Sequence, residues 1–143
     1  MVRIRRATID DLPKAKMMLS AAGLPVTDLA AEHLAFTAVD GERMAGMIGL
    51  EPYGHIGLLR SLVIAEDARD EGLGRKLVAF LEAAARDDGV DELWLLTIDA
   101  NSYFACLGYE VCERSDAPEA IRGTAEFSGL CPADAALMCK RLR

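Results

Sequence analysis

The chain has 143 residues, of which 52% are hydrophobic and 6% are aromatic. This length is typical of one domain with a buried aliphatic core, and we predict a single domain over residues 1–143. Sixteen basic and 23 acidic side chains give a formal charge of −7, which argues against general binding to nucleic acid or to an anionic membrane surface. No apolar run approaches the roughly 20 residues of a membrane span, and the amino terminus lacks the apolar stretch of a secretory signal. A cytoplasmic location is therefore expected.

Alternating apolar residues and turn residues divide the first half of the chain into short elements. They predict, in order, a strand over 2–7, a helix over about 10–22, a second short helix over about 28–34, and a hairpin of strands 36–39 and 43–50 around Asp40-Gly41. The first helix begins with a capping box, Thr8-x-x-Asp11, followed by Pro13, and ends at Gly23.

The second half contains a strand, helix, strand unit. The predicted elements are an apolar strand over 55–64, an amphipathic helix from Leu73 to about 88, a strand over 92–97, a short helix over 101–107, a strand over 109–113, a brief helix over 118–122 and a last strand over 135–142. Because a crossover helix separates them, strands 58–64 and 92–97 are expected to be parallel. The strand over 55–64 follows the hairpin closely and is expected to pair with it in the antiparallel sense.

The turn between strand 58–64 and the following helix reads Arg69-x-x-Gly72-x-Gly74. Glycines at the start of a helix let backbone N–H groups approach a phosphate, and the helix dipole favours the same anion. The motif alone is weak. It does not fit the Gly-x-Gly-x-x-Gly spacing of a dinucleotide-binding unit, and the chain has no Gly-x-x-x-x-Gly-Lys-Ser/Thr loop.

Taken with the elements around it, the motif resembles that of the GCN5-related N-acetyltransferase (GNAT) superfamily. The resemblance covers nearly the whole chain, from the first strand and Thr8-x-x-Asp11 to the last strand. It implies an α/β (α+β) fold with a mixed, mostly antiparallel central sheet of six to seven strands, flanked by helices on both faces. It also implies that acetyl-CoA lies in the cleft between two parallel central strands.

The resemblance assigns acetyl-CoA, the cosubstrate, to a defined set of residues. The pyrophosphate cradle would consist of Arg69, Glu71, Gly72, Leu73, Gly74 and Arg75. The backbone of Leu62, Val63 and Ile64 would bind the pantetheine arm, with Asn101, Tyr103 and Phe104 near the thioester. One departure from the family pattern is Asp70, where glycine is usual; a carboxylate at that place weakens pyrophosphate binding unless it faces solvent or pairs with a cation.

The catalytic candidates leave alternatives open. The tyrosine that commonly protonates the thiolate in this family falls here at Phe104, and its neighbour Tyr103 is rotated by about 100° on a helix; Tyr103 is either the acid or a packing residue. An amine nucleophile needs a base, and Glu51 and His55 are the candidates, although His55 beside Gly54 also fits a solvated turn. Arg60 either reaches solvent at the sheet end or binds an acidic substrate, because a buried unpaired guanidinium is costly.

Motifs in the carboxy-terminal third resemble the arsenic-resistance-associated, ArsN-type branch of the superfamily. They are Leu96-Thr97, Tyr103-Phe104-x-x-x-Gly108-Tyr109, Thr124-x-Glu126-Phe127-x-x-Leu130-Cys131-Pro132 and Ala136-x-Met138-x-Lys140. The resemblance implies an amino-acid-like arsenical or phosphinic acceptor. Arg114, Thr124, Glu126 and Cys131 would lie in the loop over the acceptor, with Glu126 holding an ammonium group and Arg60 or Arg114 an acidic group.

The four cysteines are Cys106, Cys112, Cys131 and Cys139. In a domain with a sizeable core we expect reduced thiols rather than disulfides. Clustered thiolates would suit arsenite, but the spacings match no metal-ligand pattern, and Cys112 and Cys139 fall in predicted strands where cysteine is commonly a small buried apolar residue. No metal site is predicted.

The predicted function is an N-acetyltransferase that moves an acetyl group from acetyl-CoA to the primary amine of a small molecule by direct attack. The alternative is a non-catalytic GNAT-fold protein that senses acetyl-CoA or binds arsenite through cysteines. The expected partner is a small-molecule amine, with neither nucleic acid nor membrane. Self-association into a homodimer is left open.

Overall fold

The computed structural model describes residues 2–69, 71–130 and 134–142. Its strands are β1 (Val2–Arg6), β2 (Leu34–Asp40), β3 (Arg43–Tyr53), β4 (Ile56–Ile64), β5 (Glu92–Thr97), β6 (Glu110–Cys112) and β7 (Ala136–Arg141). Its helices are α1 (Leu12–Ala21), α2 (Leu73–Asp87), α3 (Asn101–Cys106) and α4 (Glu119–Arg122), followed by a π-helical turn, Glu126–Leu130.

The strands form one seven-stranded sheet in the order β1-β2-β3-β4-β5-β7-β6. Strands β4 and β5 are parallel, with Ile56 opposite Glu92 and Leu58 opposite Trp94. The pairs β1–β2, β2–β3, β5–β7 and β6–β7 are antiparallel. The predicted mixed, mostly antiparallel sheet and its parallel central pair are confirmed.

The chain divides into two compact units, residues 1–50 with 60–84 and residues 51–59 with 85–143. The core of the first contains Ala15, Leu19, Leu29, Leu34, Met47 and Val63. The core of the second, called here the Trp94 cluster, contains Leu58, Trp94, Ala117, Ile121 and Leu137. The single domain over 1–143 stays a prediction. Among the described residues no helix is long and apolar enough to cross a membrane.

The short helix predicted over 28–34 is wrong. Only a 3-10 turn, Ala31–His33, forms there, and Leu34 already belongs to β2, where it lies opposite Gly49 of β3. Pairing with β3 satisfies the backbone of residues 34–40, so tertiary contacts override the local helical preference. Strand β3 also extends beyond the predicted end at residue 50, because a two-residue turn with Gly54 at φ 70° connects Tyr53 directly to β4.

The predicted capping box at Thr8-x-x-Asp11 is the centre of a buried polar network. The Asp11 side chain accepts hydrogen bonds from both Nη atoms of Arg5 at 2.9 Å, from the Thr8 N–H at 2.8 Å and from the Thr37 hydroxyl at 3.1 Å. The hydrogen bonds from Arg5, opposed by burial, hold the pKa of Asp11 below its ordinary value. One carboxylate thus connects β1, β2 and the start of α1.

We expect Asp11→Ala to lower the free energy of unfolding by about 1–3 kcal/mol, because the buried Thr37 hydroxyl and the Thr8 N–H lose their acceptor. The pKa of Asp11 is lowered on folding, so this contribution is present above the unfolded pKa and is lost as the pH falls through the folded one. Urea unfolding should give a constant difference from wild type above about pH 5 and a smaller one below about pH 4.

Asp10→Ala is the matched control, because the neighbouring Asp10 is exposed and surface substitutions are usually within about 0.5 kcal/mol of wild type. Equal losses for the two variants, or a difference that does not depend on pH, would contradict the role given to Asp11.

Two ion pairs in the first unit differ sharply in burial. The Arg60 side chain is completely buried and donates to both Asp28 carboxylate oxygens, at 2.6 and 2.8 Å. Hydrogen bonds from Arg60 hold the pKa of Asp28 below its ordinary value. The Arg43–Asp67 pair, in contrast, is exposed, with 46% and 71% of the two side chains accessible.

Asp28→Asn should therefore destabilise the protein by about 3 kcal/mol, because it removes the carboxylate facing a buried guanidinium. Asp67→Asn should cost less than about 1 kcal/mol, since an exposed pair is solvated in either state. Denaturant midpoints of the two variants test this, and a comparable loss at Asp67 would show that burial does not determine the difference.

Candidate active site

The predicted phosphate cradle forms an open turn at the start of α2. Gly72 has φ 77°, a conformation that favours glycine, and a Cβ there would meet nothing within 4 Å, so the requirement is for backbone conformation rather than space. Leu73 and Gly74 are buried, whereas Glu71 and Arg75 are exposed. The Gly72 carbonyl accepts the Lys76 N–H at 3.2 Å, which closes the first turn of the 15-residue helix.

The turn is connected to the end of β4. The Arg69 Nε donates to the Ile64 carbonyl at 3.1 Å, so the first cradle residue lies against the strand predicted to bind pantetheine. The first N–H groups of a helix have no partner inside the helix, and the helix dipole makes this end positive. The arrangement suits an anion. Asp70, the departure from the family pattern, lies outside the described residues.

Strand β4 is distorted in its middle. Ser61 has φ 61°, which is unusual for a residue with a side chain. Beyond it Val63 is buried, whereas Leu62 and Ile64 are partly accessible. Gly46 of β3 lies so close that a Cβ would be 3.0 Å from the Val63 carbonyl oxygen and 2.9 Å from the Ile64 Cδ1. A glycine inside a strand pattern signals such an approach, although the sequence analysis did not use that signal.

Arg60 lies immediately before this distortion, and it does not reach solvent, which was the first of the two sequence-based alternatives. Only 2% of the residue is exposed, so it is not solvated. Its Nε also donates to the Ser61 hydroxyl at 3.1 Å. With both carboxylate oxygens of Asp28 bound, the guanidinium is held inside the protein. Asp28 was missed because no local pattern indicates a partner 32 residues along the chain.

Glu51 and His55 are placed very differently. Glu51 is 7% exposed, and the Tyr53 hydroxyl donates to its Oε1 at 2.6 Å. Glu51 lies near the end of β3, which neighbours β4 in the sheet, and Leu58 is the last β4 residue in register with β5 within the described chain. The His55 side chain is 86% exposed, with Nδ1 3.5 Å from an Asp91 carboxylate oxygen. It precedes β4, at the opposite end from Leu62 and Ile64.

Helix α3 separates its two aromatic residues as the helical rotation predicts. Phe104 is 6% exposed and Tyr103 is 42% exposed. The Phe104 ring packs edge-on against both Tyr103, at 5.4 Å, and Tyr109, at 5.7 Å. Asn101 is exposed at the first position of the helix. Phe104 is thus a packing residue of the second unit, and Tyr103 is the accessible phenol beside it.

The predicted acceptor loop contains a buried carboxylate and several structural contacts. Glu126 is 5% exposed and Thr124 is 2% exposed. The Thr124 hydroxyl donates to the Ile121 carbonyl at 2.7 Å and accepts the Phe127 N–H at 3.3 Å, so it stabilises the local turns. Phe127 packs against the Trp94 cluster. Cys131, the remaining residue of the loop prediction, lies outside the described residues.

Arg114 is fixed at the base of this loop. Its Nη2 donates to the Ala135 carbonyl at 3.0 Å, and its guanidinium lies 5.1 Å from the centre of the Phe127 ring. Contact with an aromatic face stabilises a cation. Within the described chain no group of three or more His, Cys, Asp or Glu side chains could hold a metal ion.

Similar proteins agree on the fold. A similar solved structure is that of N-acetylglutamate synthase from Neisseria gonorrhoeae, determined with coenzyme A and N-acetyl-glutamate. It is 21% identical with a TM-score of 0.85, and the match covers 100% of this chain and 35% of the synthase chain. Rv2747 from Mycobacterium tuberculosis, solved with CoA, is 19% identical with a TM-score of 0.82 over 99% of both chains. At these identities the likeness shows a shared fold.

Sequence comparison supplies the family. The uncharacterized N-acetyltransferase CT2212 of Chlorobaculum tepidum is 36% identical over 63 residues, which are 44% of this chain and 40% of that relative. The chain therefore spans about two fifths of the length of this curated relative. The model of the acetyltransferase (GNAT) family matches residues 6–109. This is well over half of the chain, which therefore belongs to the acetyltransferase (GNAT) family.

Proposed function

We propose that the protein is an acetyl-CoA-dependent N-acetyltransferase that acts on the primary amine of a small molecule. The observation that supports this best is the glycine turn at the start of α2, where Gly72 has φ 77° and a 15-residue helix directs its dipole at the turn. The GNAT family match makes the pyrophosphate of acetyl-CoA the natural anion.

The residues of the turn fit this group. The backbone N–H groups from Gly72 to Arg75 would hold the pyrophosphate, with the exposed Arg75 adding positive charge. The partly accessible backbone of Leu62 and Ile64 would bind the pantetheine arm. Bound acetyl-CoA would supply an activated thioester that the amine attacks directly.

Glu51 is the proposed base. Its carboxylate is buried and accepts a hydrogen bond from the Tyr53 hydroxyl. A carboxylate there can remove the proton that an attacking amine must lose. His55 is the weaker candidate, because its side chain is in solvent at the far end of β4. Tyr103 is the proposed acid, since its phenol is accessible next to the buried Phe104.

The proposed acceptor is an amino-acid-like compound with a second anionic group, such as an arsenical or phosphinic amino acid. The buried carboxylate of Glu126 would hold its ammonium group. Arg114 is preferred to Arg60 for the anionic group, because Asp28 already binds both Nη atoms of Arg60. The ArsN-type motifs support this class of acceptor. A protein of similar fold, solved with N-acetyl-glutamate, also supports this class of acceptor, because N-acetyl-glutamate is an acylated amino acid with a second carboxylate.

Gly72→Ala tests the cofactor assignment. A Cβ would disfavour φ 77° and move the N–H groups of the cradle, so the Kd for acetyl-CoA should rise at least about tenfold. Titration calorimetry measures this, and the acetyl-CoA-induced rise in Tm should shrink in parallel.

Gly41→Ala is the matched control. Gly41 has φ 65° and the same open surroundings, but it lies in the β2–β3 turn. Both variants should lose about 1 kcal/mol of stability, and only Gly72→Ala should lose affinity. If wild-type protein shows no Tm shift at millimolar acetyl-CoA, the cofactor assignment fails.

Turnover against a panel of amines tests the reaction and the acceptor together. We expect acetyl-CoA-dependent release of CoA, with a matching acetylated product by mass spectrometry. The kcat/KM should be highest for amino acids that carry an arsenical, phosphinic or second carboxylic group. Equal turnover of neutral amines would reject the anionic acceptor and leave the acetyltransferase proposal standing.

Glu51→Gln should lower kcat by about 100-fold or more while leaving the acetyl-CoA shift in Tm intact. His55→Gln separates the rival base, since a loss there with full activity in Glu51→Gln would move the role to His55. Acetyl-CoA binding without turnover of any amine would favour the sensor alternative.

A further inference from the structure

Two cysteines in the second unit lie in direct contact. The Cys112 and Cys139 sulfur atoms are 2.9 Å apart. Cys112 of β6 is opposite Leu137, and Cys139 of β7 is opposite Glu110, so the thiols form a diagonal pair across two antiparallel strands. The proposed acetyl transfer uses neither of them.

The two thiols are partly accessible, and Cys112 lies on the short edge strand β6. Both side chains are partly exposed while also packing against the Trp94 cluster. Strand β6 has only three residues and is the last strand of the sheet order. A small oxidant can therefore reach the sulfur atoms, and a short edge strand can move by a fraction of an ångström at little cost.

We propose that Cys112 and Cys139 form a site of reversible two-electron oxidation, in which hydroperoxides convert the dithiol to an intramolecular disulfide. The Cys112 thiol loses its proton and its sulfur attacks one peroxide oxygen, and the O–O bond breaks. The departing hydroxide takes up the thiol proton, which gives a sulfenic acid and, from hydrogen peroxide, one water. The Cys139 sulfur then attacks the Cys112 sulfur, the S–O bond breaks, and the second water leaves with the thiol proton. Two thiols lose two electrons in total, and the peroxide gains them.

The order of the two steps follows from the environment of Cys139. Burial, followed by its hydrogen bond with Cys112, raises the pKa of Cys139 to about 12. Cys139 therefore stays protonated near neutral pH, and Cys112 lies on the three-residue edge strand β6. Cys112 reacts first, and Cys139 resolves the product.

Distance favours a disulfide over a metal site. A disulfide bond is about 2.05 Å long, so the sulfur atoms need to approach by about 0.9 Å from their separation of 2.9 Å. A zinc ion in tetrahedral geometry would instead hold two sulfur atoms about 3.8 Å apart and would need further ligands. Within the described ranges no group of three or more His, Cys, Asp or Glu side chains could hold a metal ion.

Mass spectrometry of peptides from the oxidised full-length protein tests the proposal. Cys106→Ser combined with Cys131→Ser leaves the pair as the only thiols, and both replaced residues lie outside it. After treatment with about one equivalent of hydrogen peroxide, unreacted thiols are alkylated and the protein is digested. We expect a crosslinked peptide containing Cys112 and Cys139, two hydrogens lighter than the two thiol peptides, that disappears when dithiothreitol is added before alkylation.

Cys139→Ser is the matched control for the resolving step. It should halt the reaction at a Cys112 sulfenic acid that a dimedone probe captures, whereas the parent protein should give little adduct. Wild-type protein treated in the same way shows whether the pair reacts without the background substitutions. Recovery of only singly oxidised cysteines or of intermolecular dimers, from protein with a native circular dichroism spectrum, would overturn the proposal.

Discussion

The distortion of β4 at Ser61 is the constraint on which the course of this strand depends. Before it, Ile56 to Leu58 pair in parallel with β5; beyond it, Leu62 to Ile64 lead toward the glycine turn. A residue at φ 61° breaks the regular ladder and turns the backbone groups that follow. Such a conformation costs about 1–3 kcal/mol and persists only where its surroundings enforce it. The hydrogen bond from Arg60 to the Ser61 hydroxyl, and Gly46, which admits the Val63 carbonyl, are two of those surroundings.

Two ion pairs, Arg5–Asp11 and Arg60–Asp28, stabilise the fold of the first unit. Asp11 and Asp28 each bind both Nη atoms of an arginine. Asp11 also connects to Thr37, 26 positions along the chain, and Asp28 connects to Arg60, 32 positions along it. Removing one partner of such a pair is costly because the other charge stays inside the protein. Arg60 therefore belongs to the scaffold that holds β4. The proposed chemistry assigns its charged groups to Glu51, Glu126 and Arg114 in the second unit.

The second unit combines two kinds of reactive group on one sheet. Glu51 and Tyr53 lie on the hairpin that leads into β4, whereas the thiol pair lies on β6 and β7. The two cysteines pack against the Trp94 cluster, of which Leu58 of β4 is a member.

The sequence by itself determined the order of elements, the parallel pair β4 and β5, and the glycine turn, because each depends on local periodicity or on spacing along the chain. It also indicated that Phe104 and Tyr103 face different directions, which follows from helical rotation alone. Only the tertiary structure decided that residues 28–30 and 34 do not join a helix, that Arg60 pairs with Asp28, and that Cys112 contacts Cys139. The Arg60–Asp28 and Cys112–Cys139 contacts join residues 32 and 27 positions apart, and Leu34 pairs with Gly49, 15 positions along the chain. No local pattern encodes which distant partner a buried charge, a thiol or a strand will meet.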